Sequence, residues 1–153
     1  MRITKVKILS EVVQIAWQTP YKDGGFNQAS LESKNDPAEA FAKAVNDLKP
    51  FLISICEIEA LDKKLIKATG ITIKYKGEND IRNVIITGIK TYKNSNGCMT
   101  FNTSPKADRS EGEPTAEENL LPEKCVAVID RVIDEAKKFI KGERLQIDMD
   151  EVK

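Results

Sequence analysis

Apolar and polar positions alternate along the first third of the chain, which is typical of antiparallel strands. Residues 3–9 predict a first strand and residues 12–18 a second. In the second strand, Val13, Ile15 and Trp17 share one face. Residues 26–32 predict a third strand that is more polar and suits an edge of the sheet. Pro20 and the two glycines at 24–25 place a loop before this third strand.

The apolar period then changes from two to about 3.6, which predicts a helix. Asp36 followed by Pro37 is a helix start, with an acid as N-cap and proline at the first helical position. The apolar positions of this helix are Phe41, Ala44, Val45, Leu48, Leu52 and Ile55. Pro50 should kink or split the helix. A buried strand at 51–55 is the alternative, and we favour helix because the spacing continues through the proline.

The second half repeats the pattern. Strands are predicted at 71–76, 83–92 and around 99–101, with Asn94-Ser-Asn-Gly as the hairpin turn before the last. Residues 105–119 are polar and acidic and long for a loop in a small domain, so we expect them to be mobile or functional. Pro122 opens a second helix that Gly142 ends. Its expected buried positions are Cys125, Val128, Ile129, Val132, Ile133, Ala136 and Ile140. The tail, 146–153, should be frayed.

Both halves therefore follow the order β-β-β-α, at 3–57 and 70–142. We predict one α+β domain, 1–153, whose antiparallel sheet comes from two such units with two long helices packed on one face. Chance is the alternative explanation of the repeat, because three strands and a helix are a common unit. The order is loosely similar to the repeated units of DNA sliding clamps and of some single-strand-annealing proteins, a likeness of architecture alone.

Composition removes several function classes. The chain has no histidine, which excludes Ser-His-Asp and Cys-His catalysis and the usual zinc sites. Cys56, Cys98 and Cys125 are an odd number without Cys-x-x-Cys spacing, and each is expected to be a small buried residue. No acidic cluster has the spacing of a calcium loop. We therefore predict a protein that is not an enzyme and has no metal site, no cofactor and no membrane span.

The charges allow a local basic surface within a chain of zero net charge, since lysine plus arginine and aspartate plus glutamate number 24 each. Aromatic and lysine side chains at the two hairpin tips are typical of surfaces that bind single-stranded nucleic acid. The candidate residues are Trp17, Tyr21, Lys22, Phe26, Lys74, Lys76, Lys90, Tyr92 and Lys93. Arg2 and Lys5 lie near the first tip in sequence, and lysines 63, 64 and 67 could extend the same basic face. The alternatives are that Trp17 and Phe26 belong to the core and that the lysines form a solvated surface.

Two stretches carry a resemblance to known sequences. They are residues 15–34 (Ile-Ala-Trp-Gln-Thr-Pro-Tyr-Lys-Asp-Gly-Gly-Phe-Asn-Gln-Ala-Ser-Leu-Glu-Ser-Lys) and residues 48–58 (Leu-Lys-Pro-Phe-Leu-Ile-Ser-Ile-Cys-Glu-Ile). With 87–103 and 119–122, they resemble small uncharacterised proteins encoded by bacteriophages and prophages. The resemblance implies a phage accessory role in the cytoplasm of a bacterial host, and it transfers no catalytic residues.

Our leading hypothesis from the sequence is a non-enzymatic protein that self-associates and binds nucleic acid, in particular single-stranded DNA. The rival hypothesis is an inhibitor of bacterial anti-phage defence, which binds a host protein or sequesters a nucleotide signal. The rival would use the acidic loop 105–119 as its binding arm. A carboxylate-dependent nuclease is the third hypothesis, and it predicts metal-dependent cleavage of DNA.

Overall fold

The computed structural model describes residues 1–110 and 116–144. Its strands are β1 (Arg2–Ile8), β2 (Val13–Pro20), β3 (Phe26–Ser33), β4 (Ile66–Lys76), β5 (Ile81–Thr91), β6 (Cys98–Asn102) and β7 (Lys106–Ala107). Its helices are α1 (Glu39–Asn46), α2 (Lys49–Ile55) and α3 (Glu123–Ile140), and 3-10 turns lie at Ala60–Leu65 and Glu117–Asn119. The α+β class is therefore confirmed.

One antiparallel sheet contains all seven described strands, in the order β3-β2-β1-β4-β5-β6, with β7 paired to β5. The order is symmetrical about the β1–β4 junction, where Val6 lies opposite Ile71. Neighbouring strands run in opposite directions, so β2 and β5 point to opposite ends of the sheet. The β2–β3 and β5–β6 hairpin tips consequently lie at diagonally opposite corners.

A single apolar core joins the strands to the helices. Alternate strand positions enter it, including Ile15, Ile71 and Ile86, because side chains alternate between the two sides of a strand. The expected stripe of α3 is buried from Cys125 to Ala136, but Phe139 takes the last buried position and Ile140 is half-buried. The Phe139 ring meets that of Phe41 edge to face, with centroids 5.6 Å apart. That contact ties α3 to α1.

Proline splits the first helical segment, as its missing N–H and fixed φ predict. α1 ends at Asn46, and Pro50 lies in the first turn of α2. Residues 51–55 are helical, which confirms the helix over the strand alternative. The predicted start at Asp36 was wrong. α1 begins at Glu39 with Ala38 as N-cap and no side-chain capping bond, so Asp36-Pro37 belongs to the preceding loop.

The strand predicted at 71–76 is longer than expected, because β4 already begins at Ile66. Residues 105–119 also contain more structure than expected. Lys106 and Ala107 form β7, and the Leu121 amide donates to the Ala107 carbonyl at 2.9 Å. Residues 111–115 of this loop and the predicted frayed tail, 146–153, lie outside the described residues.

The cysteines do not share one environment. Cys125 is buried in α3, and its burial raises the pKa of its thiol to about 12. Cys56 is half-buried, whereas Cys98 is exposed at the start of β6. The expectation of three buried cysteines was therefore wrong for Cys98, which lies on an edge strand with little packed around it.

Candidate functional site

Strand alternation places four lysines on the side of the sheet opposite to the core positions. In β1, Lys5 and Lys7 flank the core residue Val6, and in β4, Lys74 and Lys76 alternate with the core residue Ile73. Lys5 lies opposite Thr72, so the two pairs belong to neighbouring strands. We call Lys5, Lys7, Lys74 and Lys76 the lysine face.

The four side chains of the lysine face form no ion pair with any residue in the described parts of the chain. Their cross-strand neighbours are uncharged and include Gln14, Ala16 and Asn83. One strand further out, Glu32 on β3 accepts a 3.1 Å hydrogen bond from the Gln14 amide, and the turn after Lys76 carries Glu78 and Asp80. Positive charge is thus segregated within a molecule of zero net charge.

The other described cations on the strands are mostly neutralised. Arg82 is held by Asp108 and Asp130 at 2.8 and 2.7 Å. Arg2 pairs with Asp80 at 2.7 Å. This contrast makes the lysine face a surface with unsatisfied charge, which an anionic ligand could neutralise.

The first hairpin tip lies at the end of the sheet that Lys76 approaches. Tyr21 is 53% exposed, its hydroxyl contacts the Asn27 amide oxygen, and Lys22 is exposed beside it. The Phe26 ring is 41% exposed. The Arg2 guanidinium carbon lies 3.8 Å from the centroid of the Phe26 ring.

The same guanidinium also lies 4.6 Å from the Tyr75 ring centroid. Arg2 therefore connects the first hairpin tip to β4, which carries Lys74 and Lys76. One side of the Phe26 ring is occupied by the cation, and the exposed remainder can receive a planar group.

Trp17, the largest residue among the candidates, lies elsewhere. It is half-buried and packs against the core cluster, opposite Ile3 in the register. Its place follows from its alternation with Val13 and Ile15, both buried. The ring packs against the core, and most of its surface is not accessible.

The second hairpin tip has the same residue types in a different setting. Tyr92 is 42% exposed. Lys90 and Lys93 both contact Asp62 of the 3-10 turn, with nitrogen–oxygen distances of 3.5 and 2.8 Å. The hydrogen bond from Lys93 lowers the pKa of the Asp62 carboxyl below its usual range. Both ammonium groups are thus already paired.

The structure therefore brings together only part of the candidate set. Tyr21, Lys22, Phe26, Lys74 and Lys76 lie toward one end of the sheet, whereas Lys90, Tyr92 and Lys93 lie at the opposite corner. The further lysines of the expected basic face also divide, because Lys63 and Lys64 lie in the 3-10 turn beside Asp62, whereas Lys67 is exposed on β4.

Sequence reasoning placed Arg2 and Lys5 near the first hairpin tip along the chain, but it left Lys7 out of the candidate site. The signal for Lys5 and Lys7 was present, because they alternate with apolar residues in the first predicted strand. Their place on the same face as Lys74 was hidden, since it depends on the pairing of β1 with β4, in which Lys5 lies opposite Thr72.

No family model, no curated protein and no solved structure matches the chain. Within residues 1–110 and 116–144, no three side chains of the metal-binding types group together. None of the described helices is long and apolar enough to cross a membrane. The acidic loop required by the rival hypothesis falls partly outside the described residues, at 111–115.

Proposed function

We propose that this protein binds single-stranded nucleic acid, in particular DNA, without catalysing a reaction. The binding surface comprises the lysine face and the first hairpin tip. The observation that carries the proposal is the set of four unpaired ammonium groups at Lys5, Lys7, Lys74 and Lys76. Phosphate contacts by such groups release counterions and supply most of the affinity for nucleic acids.

The aromatic side chains of the tip give this surface its preference for single strands. The bases of a single strand expose their faces, and aromatic rings such as those of Tyr21 and Phe26 can stack on them. A duplex keeps its bases stacked inside, so it offers the tip only its backbone. Lys22, next to Tyr21, lies within reach of the phosphates of a base stacked there.

The proposal includes the architecture that leaves this surface open. The helices lie over one face of the sheet, and the two β-β-β-α halves meet at the β1–β4 junction. The single core cluster and the symmetrical strand order support this arrangement. As the sequence resemblance implies, the binding would serve a phage accessory role.

The test is a titration of a labelled DNA oligonucleotide of about 15 nucleotides, followed by fluorescence anisotropy at roughly 50 and 200 mM salt. The quadruple variant K5A/K7A/K74A/K76A should bind more weakly. Its salt dependence should be shallower by up to about 0.7 in log–log slope for each lost phosphate contact. An unlabelled duplex should compete poorly.

The matched control is K63A/K64A/K90A/K93A, which removes the same net charge from the opposite corner of the sheet. It should retain most of the affinity. Equal losses in the two variants would show that binding follows total charge and does not depend on this surface. Absence of micromolar binding by the unchanged protein at low salt would reject the function itself.

A further inference from the structure

Within the described residues, the outer edge of β3 is an open edge of the sheet, because β2 is the one strand paired with it. β3 pairs with β2 through eight successive residues without a register shift, whereas the β1–β2 and β4–β5 pairings each contain one. Its residues from Asn27 to Ser33 include no proline, lysine or arginine, the residues that proteins use to block edge pairing. All but Leu31 and Ser33 are exposed.

The opposite edge of the sheet is different. β6 has only five residues, and the chain turns after it so that β7 pairs with β5 beyond the end of β6. Thr103, next to β6, is buried and its hydroxyl accepts a 3.0 Å bond from the Ile86 amide. Short strands and overlying segments limit edge pairing, so of the two edges formed by the described strands, only the β3 edge offers a long row of free backbone groups.

The register shows which backbone groups of β3 point outward. The Tyr21 amide donates to the Gly25 carbonyl at 3.1 Å, which makes residues 21 and 25 a hydrogen-bonded pair. Hydrogen-bonded pairs recur every two residues in an antiparallel ladder, so Ala29 and Leu31 also bond inward to β2. Pro20, which has no N–H, lies opposite Phe26 at a non-bonded position, as this assignment requires. The amides and carbonyls of residues 26, 28, 30 and 32 therefore point away from the sheet.

We propose that β3 pairs with β3 of a second copy of this chain, antiparallel, with Ser30 on the two-fold axis. In this register the hydrogen bonds between the two copies use only the outward-pointing amides and carbonyls of β3. The same strand supplies both sides of the interface, as two-fold symmetry requires. Ser30 lies opposite Ser30, Gln28 opposite Glu32, and Ala29 opposite Leu31. The Gln28 amide can donate to the Glu32 carboxylate across the axis, and the small Ser30 side chains leave room at its centre. The zero net charge of the chain adds no long-range repulsion between the copies.

The pairing has a consequence for the lysine face, which rests on the proposed function. A two-fold axis perpendicular to a sheet keeps each face on its own side. The lysine faces of both copies therefore lie on the same side of one continuous sheet. A single strand of DNA could then contact both, and the dimer would bind a longer strand more tightly than one copy binds.

The first experiment measures mass against concentration by analytical ultracentrifugation without any nucleic acid, so its outcome is independent of the proposed function. The unchanged protein should form a dimer in the micromolar range. Ser30→Lys places two like charges on the axis and should shift the dissociation constant at least tenfold towards monomer. Ser30→Thr, the matched control, should leave it nearly unchanged, and circular dichroism checks that both variants fold.

A second experiment tests the register by disulfide trapping in a Cys98→Ser background, which removes the exposed native thiol. In Ser30→Cys the α-carbons of the two introduced cysteines lie about 5.5 Å apart, within the range of a disulfide. In Gln28→Cys they are separated by about 13 Å along the strand, which is too far. Oxidation should link the first variant and not the second. A monomer throughout the micromolar range, an unchanged mass for Ser30→Lys, or equal linking of both cysteine variants would overturn the proposal.

Discussion

The two hairpin tips of the sheet are built from similar residues but differ in what surrounds them. The β2–β3 tip carries Tyr21 and Lys22 beyond the edge of the sheet, and no other described element pairs with β3. The β5–β6 tip carries Tyr92 and Lys93, but the 3-10 turn places Asp62 against its lysines. The same local pattern therefore gives a free cation at one corner and paired cations at the other.

That difference shows why a tip cannot be assigned a function from its own residues. An exposed ion pair adds little stability, but it satisfies the charge that would otherwise attract a phosphate. The first tip also gains Arg2 and the neighbouring lysine face, both of which arrive through strand pairing. We therefore assign binding to one tip only, although the sequence suggested that both would share it.

The largest effect on stability is expected from a substitution that separates the two halves of the sheet that carry the tips. Within the sheet they join at β1–β4, where Gly70 lies opposite Lys7. A Cβ on Gly70 would lie 1.8 Å from the Val6 carbonyl oxygen, so Gly70→Ala must push β1 away. We expect a loss of about 3 kcal/mol in the free energy of unfolding, measured by urea denaturation.

Gly24→Ala is the control for that substitution and lies in the first tip itself. A Cβ there meets nothing within 4 Å, but the φ of +89° is strained for alanine. The cost should be about 1–2 kcal/mol, which is smaller than for Gly70→Ala. The reverse order of the two losses would contradict the view that the β1–β4 junction is closely packed.

A smaller effect should distinguish the tips by their aromatic rings. Phe26→Ala should weaken binding of single-stranded DNA by about 1–3 kcal/mol, the range for loss of one base-stacking contact. Tyr92→Ala, with a ring of similar exposure, should change the affinity little, because its neighbouring lysines are paired with Asp62. Anisotropy titrations of both variants test this prediction. Equal losses of affinity would show that the two tips contribute equally to binding.

The smallest expected effect comes from removing the acid at the second tip. Asp62→Asn should free Lys90 and Lys93, tighten DNA binding slightly and speed amide exchange around residues 92–97. Hydrogen exchange followed by mass spectrometry measures the latter. Unchanged exchange and affinity would show that the two contacts to Asp62 do not restrain this tip.

The same ion pairs predict a pH dependence. The pKa of Asp62 is lowered on folding, so its contribution to stability is present above its unfolded pKa of about 3.8 and is lost as the pH falls through the lower folded value. The unfolding midpoint of Asp62→Asn should therefore approach that of the unchanged protein in acid. A difference that grows as the pH falls would give the opposite sign and exclude this explanation.

Much of the fold could be predicted from local patterns. The alternation around Ile15, Ile73 and Ile86 predicted strands, because a strand that buries one side must place apolar residues at every second position. The stripe of α3 followed in the same way from helical spacing. Pro50 and Gly142 marked the break in one helical segment and the end of α3 through backbone restrictions that act within a few residues.

The predictions failed where the outcome depends on distant partners. Asp36-Pro37 has the composition of a helix start, yet the helix begins at Glu39. Local sequence preference could not show that Asp36 and Pro37 belong to the loop before the helix. β7 exists because β5 and Leu121 offer backbone partners, and neither is visible from the polar sequence around Lys106. Cys98 is exposed because its strand lies at an edge.

The sequence by itself determined the α+β class, most of the elements and the types of residue at each tip, since these depend on neighbours along the chain. The tertiary structure alone decided which charges remain unpaired. It placed Lys5 and Lys7 of β1 on the same face of the sheet as Lys74 of β4, and it placed Asp62 against Lys90 and Lys93. The physical reason is that electrostatic interactions depend on distance in space, and strand order brings distant parts of the chain together.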